Sequence, residues 1–169
     1  MRTFELGGRA LELDGLELRV GERAPDFTCV DTSLSEKRLS DYAGHVIILS
    51  VVPSLDTSVC STQTRRFNQE ASKLGSDVIV LTISMDLPFA QKRWCGNEGI
   101  ERVITLSDHR TASFGKAYGT LIPDLRLESR AVFVVDKDGR LVHVEYVPQA
   151  SMEPDYEAAV NATIGILTA

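Results

Sequence analysis

The sequence predicts an α/β protein with a mixed central sheet flanked by helices. Three predominantly aliphatic runs, Val46–Val52, Val78–Ser84 and Ala131–Val135, are typical of strands that are covered on both faces. Helical patterns alternate with these runs, which indicates a sheet with helices on both sides. The turn Lys137–Gly139 then leads into Leu141–Val147, which we expect to pair antiparallel with the strand before it.

Length and composition limit the possible classes of protein. A chain of 169 residues suits one domain, and we expect a single domain over residues 1–169. The formal net charge of -6 argues against nucleic acid and anionic membranes as partners. The run Val46–Val52 is too short to span a bilayer, and the first residues lack the apolar core of a signal peptide. We therefore expect a cytoplasmic protein with no membrane partner.

Residues 1–20 should form an N-terminal hairpin extension. Two short strand patterns, Thr3–Leu6 and Arg9–Leu13, flank the pair Gly7-Gly8. Two glycines are a favoured two-residue hairpin turn, because both central positions of such a turn require a positive φ.

The longest helix is predicted from Ser58 to Leu74, ending at Gly75. Apolar and small residues recur there at the spacing of one helix face, namely at Cys60, Thr64, Phe67, Ala71 and Leu74.

Three shorter helices complete the prediction. One runs from about Leu87 to Cys95, with Asp86 as its N-cap, Pro88 in its first turn and Gly96 at its end. The other two cover Ser113–Tyr118 and Pro154 to about Leu167.

The three cysteines, Cys29, Cys60 and Cys95, are widely separated. An odd number at wide spacing is neither a secreted disulfide framework nor a metal-finger pattern. The three histidines are equally scattered, and no glycine-rich phosphate loop or serine-hydrolase motif occurs. We therefore expect no metal and no bound cofactor.

Cys60 lies in the first turn of a helix that follows a buried strand and a proline-containing loop. The free N–H groups and partial positive charge of a helix N-terminus stabilise a thiolate, which is the nucleophilic form of cysteine. Free cysteine is also one of the residue types most often buried for packing, so position alone leaves both interpretations open.

Thr57 and Pro53 have ordinary structural interpretations as well as functional ones. A threonine before a helix normally caps it, and a proline commonly ends a strand. In a reactive site, the Thr57 hydroxyl would hydrogen-bond the thiolate and the substrate, and Pro53 would form a rigid wall that limits access of water to the sulfur.

The segment Pro53–Cys60 matches the P-x-x-x-T-x-x-C signature of the peroxiredoxins. Further segments resemble the bacterial thiol peroxidase branch of that family, so the resemblance covers nearly the whole chain. They are Ser58–Cys60, Ser84–Gln91, Trp94–Gly96 and Glu153–Glu157, together with Arg65 and Phe67-Asn68. Ala24–Phe27 resembles the entry segment of peroxiredoxins in general. The resemblance implies a thioredoxin-like fold.

The resemblance also implies roles for individual residues. Cys60 matches the peroxidatic cysteine, with Thr57 and Pro53 as its pocket partners, and Cys95 matches the resolving cysteine. Arg130, at the start of a strand, matches the pocket arginine of the family. Composition alone would make Arg130 a solvated strand-end residue. Cys29 matches no role in the family and is interpreted as a core strand residue, although the sequence itself leaves all three cysteine pairings open.

The implied activity is reduction of hydrogen peroxide and organic hydroperoxides through a Cys60 sulfenic acid and an intramolecular disulfide with Cys95. The resemblance further implies thioredoxin as reductant and a homodimer. A peroxiredoxin whose resolving cysteine lies near the C-terminus of a partner subunit is disfavoured, because no cysteine follows Cys95. A non-catalytic thioredoxin-fold redox sensor that passes a disulfide to a target protein is the alternative function.

Overall fold

The computed structural model describes residues 2–169. The strands are β1 (Thr3–Leu6), β2 (Arg9–Glu12), β3 (Thr28–Val30), β4 (Glu36–Arg38), β5 (Val46–Val51), β6 (Val78–Ser84), β7 (Val103–Ser107), β8 (Leu121–Ile122), β9 (Leu127–Glu128), β10 (Arg130–Val135) and β11 (Leu141–Val147). The helices are α1 (Ser58–Leu74), α2 (Pro88–Glu98), α3 (Ser113–Tyr118) and α4 (Tyr156–Leu167), with a short 3-10 helix at Leu39–Tyr42.

Seven strands form one mixed sheet in the order β11-β10-β5-β6-β7-β3-β4. The three central strands β5, β6 and β7 run parallel, and β10 pairs antiparallel with both β5 and β11. This is the thioredoxin-like architecture, so the predicted fold class is confirmed. In the described part of the chain, no helix is long and apolar enough to cross a bilayer.

Alternate residues of the central strands build two separate cores. Ile47, Leu49 and Val51 face α3 together with other large apolar side chains. Val46 and Ile48 face the opposite side, where α1 and α4 pack. Side chains alternate across a strand, so the even-numbered residues of β5 and β10, such as Val46 and Val132, point toward α1.

The N-terminal hairpin is a separate two-stranded sheet of β1 and β2. Gly7 and Gly8 have φ values of 59° and 81°, as the predicted two-residue turn requires. The hairpin has its own small core, in which Phe4, Leu11 and Ile122 are buried.

Two predicted boundaries of α2 are wrong. The helix begins after Leu87, not after Asp86, because the Asp86 carboxylate is already bonded elsewhere. It also continues past Gly96 to Glu98, and it ends at Gly99, which adopts the left-handed conformation with φ 66°. The short strands β4, β8 and β9 carried too few residues to give a recognisable pattern in the sequence.

A buried pair of carboxyl groups, Asp108 and Glu128, fixes the start of α3. The Asp108 carboxylate accepts hydrogen bonds from the N–H groups of Phe114 and Gly115, both at 2.9 Å. Burial, followed by hydrogen bonding and charge repulsion from Asp108, raises the pKa of Glu128 well above its usual range. Glu128 therefore holds its proton more tightly in the folded protein than in the unfolded chain.

We predict that Glu128→Gln weakens the pH dependence of stability. The pKa of Glu128 is higher in the folded state than in the unfolded state, where it is about 4.3, so the unfolding free energy falls as pH rises between the two pKa values. The maximum slope from one proton is about 1.4 kcal/mol per pH unit. Urea unfolding is measured at several pH values between about pH 5 and pH 7. Because the amide of the variant cannot ionise, its unfolding free energy should fall less steeply with pH than that of the unmodified protein. The exposed Glu12→Gln is the control, and an unchanged slope in Glu128→Gln would contradict the assignment.

Candidate active site

The loop between β5 and α1 is held by Asp86, which sequence analysis interpreted only as a helix cap. The Asp86 carboxylate accepts hydrogen bonds from the Ser54 hydroxyl and the Leu55 N–H, both at 2.8 Å. It also accepts one from the Ser84 hydroxyl at 2.8 Å. Pro53 is buried at the start of this loop. The end of β6 therefore fixes the loop that leads into the first turn of α1.

Cys60 is fully buried, and its sulfur lies 3.3 Å from Nη2 of Arg130. The register of the sheet explains this contact. Ala131 pairs with Val51, so Arg130 lies just beyond the end of β5, beside the start of α1. Arg130 is two residues before Val132 on the same strand, so its side chain lies on the same face of the sheet, toward α1. The predicted pocket arginine is thus adjacent to the predicted nucleophile, and it is buried rather than solvated.

Two further acceptors hold the Arg130 guanidinium. Nη1 donates to the Gln63 side-chain oxygen at 2.9 Å, and Nη2 donates to the Ala150 carbonyl at 2.7 Å. The Gln63 amide nitrogen in turn donates to the Ser50 hydroxyl at 2.8 Å. Gln63 lies one turn after Cys60 on the buried face of α1, and its polarity concealed it from a search for apolar periodicity.

Thr57 occupies the N-cap position of α1, but its side chain does not cap the helix. Its hydroxyl instead donates to the Ser54 carbonyl at 3.1 Å. The side chain of Thr57 therefore leaves the first-turn N–H groups of α1 free to bind a substrate oxygen. Thr57 itself is exposed, which suits a residue that meets the substrate.

A cavity of about 380 Å³ lies above this turn of α1. Its walls come from the start of α1, from the hairpin turn and from the segment after β11. They are formed by Glu5–Gly8, Pro53, Thr57–Val59, Arg130 and Gln149–Ser151. Three of the predicted site residues, Pro53, Thr57 and Arg130, thus meet at one cavity, and the buried sulfur of Cys60 contacts the third. This arrangement can hold a small peroxide against the arginine that contacts the cysteine.

Cys95 is half-buried on α2 and packs against the small apolar cluster that contains Cys60 and Trp94. Burial raises the pKa of the Cys95 thiol, and a hydrogen bond with Thr105 opposes this effect. Both cysteines are free thiols in this structure. The structure therefore brings the predicted resolving cysteine to the same cluster without a bond between the two.

The family model named Redoxin matches residues 19–160 of the chain. A thiol peroxidase of Oceanobacillus iheyensis is 61% identical over 147 residues, which is 87% of this chain and 89% of that protein. A thiol peroxidase of Bacillus subtilis is 57% identical over 162 residues, which is 96% of each chain. The chain belongs to the bacterial thiol peroxidase family.

Two solved structures agree with this assignment. A peroxiredoxin-like protein from Aquifex aeolicus superposes with a TM-score of 0.90 at 41% identity, over 98% of each chain. A thiol peroxidase from Chromobacterium violaceum has a TM-score of 0.88 at 20% identity over 99% of each chain, which supports the fold. The sequence-based prediction of an enzyme of the thiol peroxidase class is therefore confirmed.

Cys29 lies outside the thiol peroxidase site described above. It is buried in β3, and its thiol donates to an Asp108 oxygen at 3.6 Å. Burial, reinforced by the negative charge of Asp108, strongly raises the pKa of Cys29. Cys29 is thus a protonated core residue, as its position between Thr28 and Val30 suggested.

We predict that Arg130→Ala and Thr57→Val each slow the reaction with peroxide, by about 10²-fold where one aimed donor to the developing negative charge is lost. Stopped-flow fluorescence of Trp94, which shares a cluster with Cys60, can follow oxidation at varied peroxide concentration. Thr62→Val is the matched control, because Thr62 lies on the exposed side of α1 and its hydroxyl bonds only Ser58. A loss below about threefold, under 1 kcal/mol, would make either residue purely structural.

Proposed function

We propose that Cys60 is the peroxidatic nucleophile of this thiol peroxidase. The observation that carries the proposal is the 3.3 Å contact between the Cys60 sulfur and Arg130 beside a 380 Å³ cavity. The Cys60 thiolate attacks the distal peroxide oxygen, the O–O bond breaks, and water or an alcohol leaves after taking up a proton. Cys60 becomes a sulfenic acid.

Three groups would stabilise the charge that grows on the leaving oxygen. The Arg130 guanidinium, the Thr57 hydroxyl and the free N–H groups of the first turn of α1 border the cavity or the sulfur. Donors that are already oriented lower a barrier most, because they need no reorganisation when the charge appears. Buried Pro53 would keep water from the sulfur.

We propose Cys95 as the resolving residue. Its thiol attacks the sulfenic sulfur of Cys60, water leaves, and a disulfide forms within one chain. A disulfide requires Cα atoms within about 7 Å. Cys60 is fully buried with its sulfur against Arg130, so the sulfur would have to leave this contact to bond with Cys95. The first turn of α1 and the Cys95 turn of α2 would therefore loosen and re-form when the bond closes.

The proposed substrates are hydrogen peroxide and organic hydroperoxides. The cavity is large enough for more than hydrogen peroxide, and apolar side chains of Leu6, Pro53, Val59 and Ala150 contribute to its walls. A dithiol protein such as thioredoxin would reduce the disulfide by exchange. That reductant is consistent with the proposed cytoplasmic location.

The decisive experiment compares three cysteine variants in a peroxide assay coupled to thioredoxin and its reductase. We predict that Cys60→Ser loses turnover, and that Cys95→Ser consumes one equivalent of peroxide but fails to cycle. Cys29→Ser is the matched control and should cycle normally, because Cys29 is buried with Asp108.

Peptide mapping after one equivalent of peroxide should recover a Cys60–Cys95 bridge within one chain. A bridge that contains Cys29, or a covalent dimer through Cys95, would refute the assignment of the resolving cysteine. Turnover in Cys60→Ser would refute the proposed nucleophile. Disulfide transfer to a target protein without peroxide turnover would indicate the redox-sensor alternative.

We further propose a homodimer, which rests on the family resemblance. Sedimentation of the reduced protein at micromolar concentration should then show a species of twice the 18.6 kDa chain mass. A single 18.6 kDa species under these conditions would contradict the proposal.

A further inference from the structure

The N-terminal hairpin bonds directly to the segment that borders the active site. The Glu5 N–H donates to the Pro148 carbonyl at 3.0 Å, and the Ala150 N–H donates to the Glu5 carbonyl at 2.8 Å. Glu5 and Gln149 thus form a parallel bridge between β1 and the chain after β11. We call this pair of hydrogen bonds the Glu5 clamp.

Ala150 connects the Glu5 clamp to Arg130. Its carbonyl accepts the 2.7 Å hydrogen bond from Arg130 Nη2, and this same nitrogen lies 3.3 Å from the Cys60 sulfur. A guanidinium nitrogen of this type carries two N–H bonds in a fixed plane. The position of the Ala150 carbonyl therefore determines the direction of the second N–H, toward the sulfur.

The N-terminal hairpin packs against the segment that contains Ala150. Phe4, Leu11 and Ile122 are buried in a core of their own, and the Ala150 side chain packs against it. The two cores of the main sheet contain no residue of β1 or β2. The hairpin therefore packs outside both cores of the main sheet.

We propose that the N-terminal hairpin is a positioning element for Arg130, acting through the Glu5 clamp and the Ala150 carbonyl. This inference rests on the proposed roles of Cys60 and Arg130. Gln63 holds the guanidinium at Nη1 from α1, and Ala150 holds it at Nη2 from the segment after β11. Without the clamp, the guanidinium pivots on Gln63, and Nη2 loses its aim at the sulfur and the peroxide.

The alternation of β1 supplies a matched pair of positions for the test. Glu5 directs its N–H and carbonyl away from β2, so its pair with Ala10 is of the non-hydrogen-bonded kind. Thr3, paired with Glu12, has the same orientation two residues earlier. Within residues 2–169, no backbone hydrogen bond joins Thr3 to the segment 148–150.

Glu5→Pro removes the N–H of the clamp, and Glu5→Ala removes the same side chain but keeps that N–H. The comparison of these two variants therefore isolates the backbone bond from the side chain at the cavity rim. Thr3→Pro places a proline on the same edge of the same strand without removing a bond to the segment 148–150.

The rate constant for oxidation by hydrogen peroxide is measured by stopped-flow fluorescence. We expect Glu5→Pro to be about tenfold slower than Glu5→Ala, part of the roughly 10²-fold effect of losing an aimed donor. Thr3→Pro should match the unmodified protein. Alkylation of Cys60 by iodoacetamide builds no charge on a peroxide oxygen, so the ratio of peroxide rate to alkylation rate should fall in Glu5→Pro.

The same pair of Glu5 variants in an Arg130→Ala background tests the route of the effect. If the hairpin acts through Arg130, the two should then differ by less than about twofold, because coupled residues are non-additive. An equal difference in both backgrounds, or an unchanged rate ratio, would overturn the positioning role. If Arg130→Ala itself has no effect, the proposed catalytic role of Arg130 fails instead, whereas the role of Cys60 is tested separately by Cys60→Ser.

A second variant keeps the test decisive if Glu5→Pro does not fold. Replacing Ala150 by its α-hydroxy analogue deletes the N–H that donates to the Glu5 carbonyl and keeps every side chain, although it also weakens the Gln149 carbonyl as an acceptor. The same fall in the rate ratio is expected. An unchanged ratio in this variant would contradict the proposal.

Discussion

The contact between the Arg130 guanidinium and the Cys60 sulfur is the constraint on which the arrangement of the site depends. Arg130 is almost completely buried, and a buried charge is costly unless hydrogen-bond partners replace water. Its partners are Cys60 and Gln63 on α1 and Ala150 in the segment after β11. Burial of this one charge therefore fixes α1, β10 and that segment relative to one another.

The mixed sheet makes this convergence possible. Reversal of the chain at β10 brings its first residue beside the end of β5, where α1 starts. A purely parallel strand at this position would place its C-terminal end there instead. The antiparallel pairing thus brings the start of one strand, with Arg130, to the helix N-terminus that follows another.

The local features of this site could be predicted from the sequence, whereas the features that depend on the register of strand pairing could not. The bounds of α1 and the place of Thr57 and Cys60 at its start follow from periodicity and could be predicted directly, whereas the roles of these two residues came from the family resemblance. Arg130 came only from the family resemblance, because its burial arises from strand pairing far along the chain. Gln63 and Asp86 were missed for a similar reason. Their polar side chains suggest a solvated face and a helix cap until distant partners are known.

The choice of an amide at position 63 has an electrostatic consequence. Gln63 accepts from Arg130 and donates to Ser50, so it fixes the guanidinium while remaining neutral. A carboxylate at this position would pair with the positive charge and weaken its attraction for a thiolate. In the part of the chain that the structure describes, Arg130 forms no salt bridge. Its charge is therefore available to the sulfur of Cys60, as the proposed peroxidase chemistry requires.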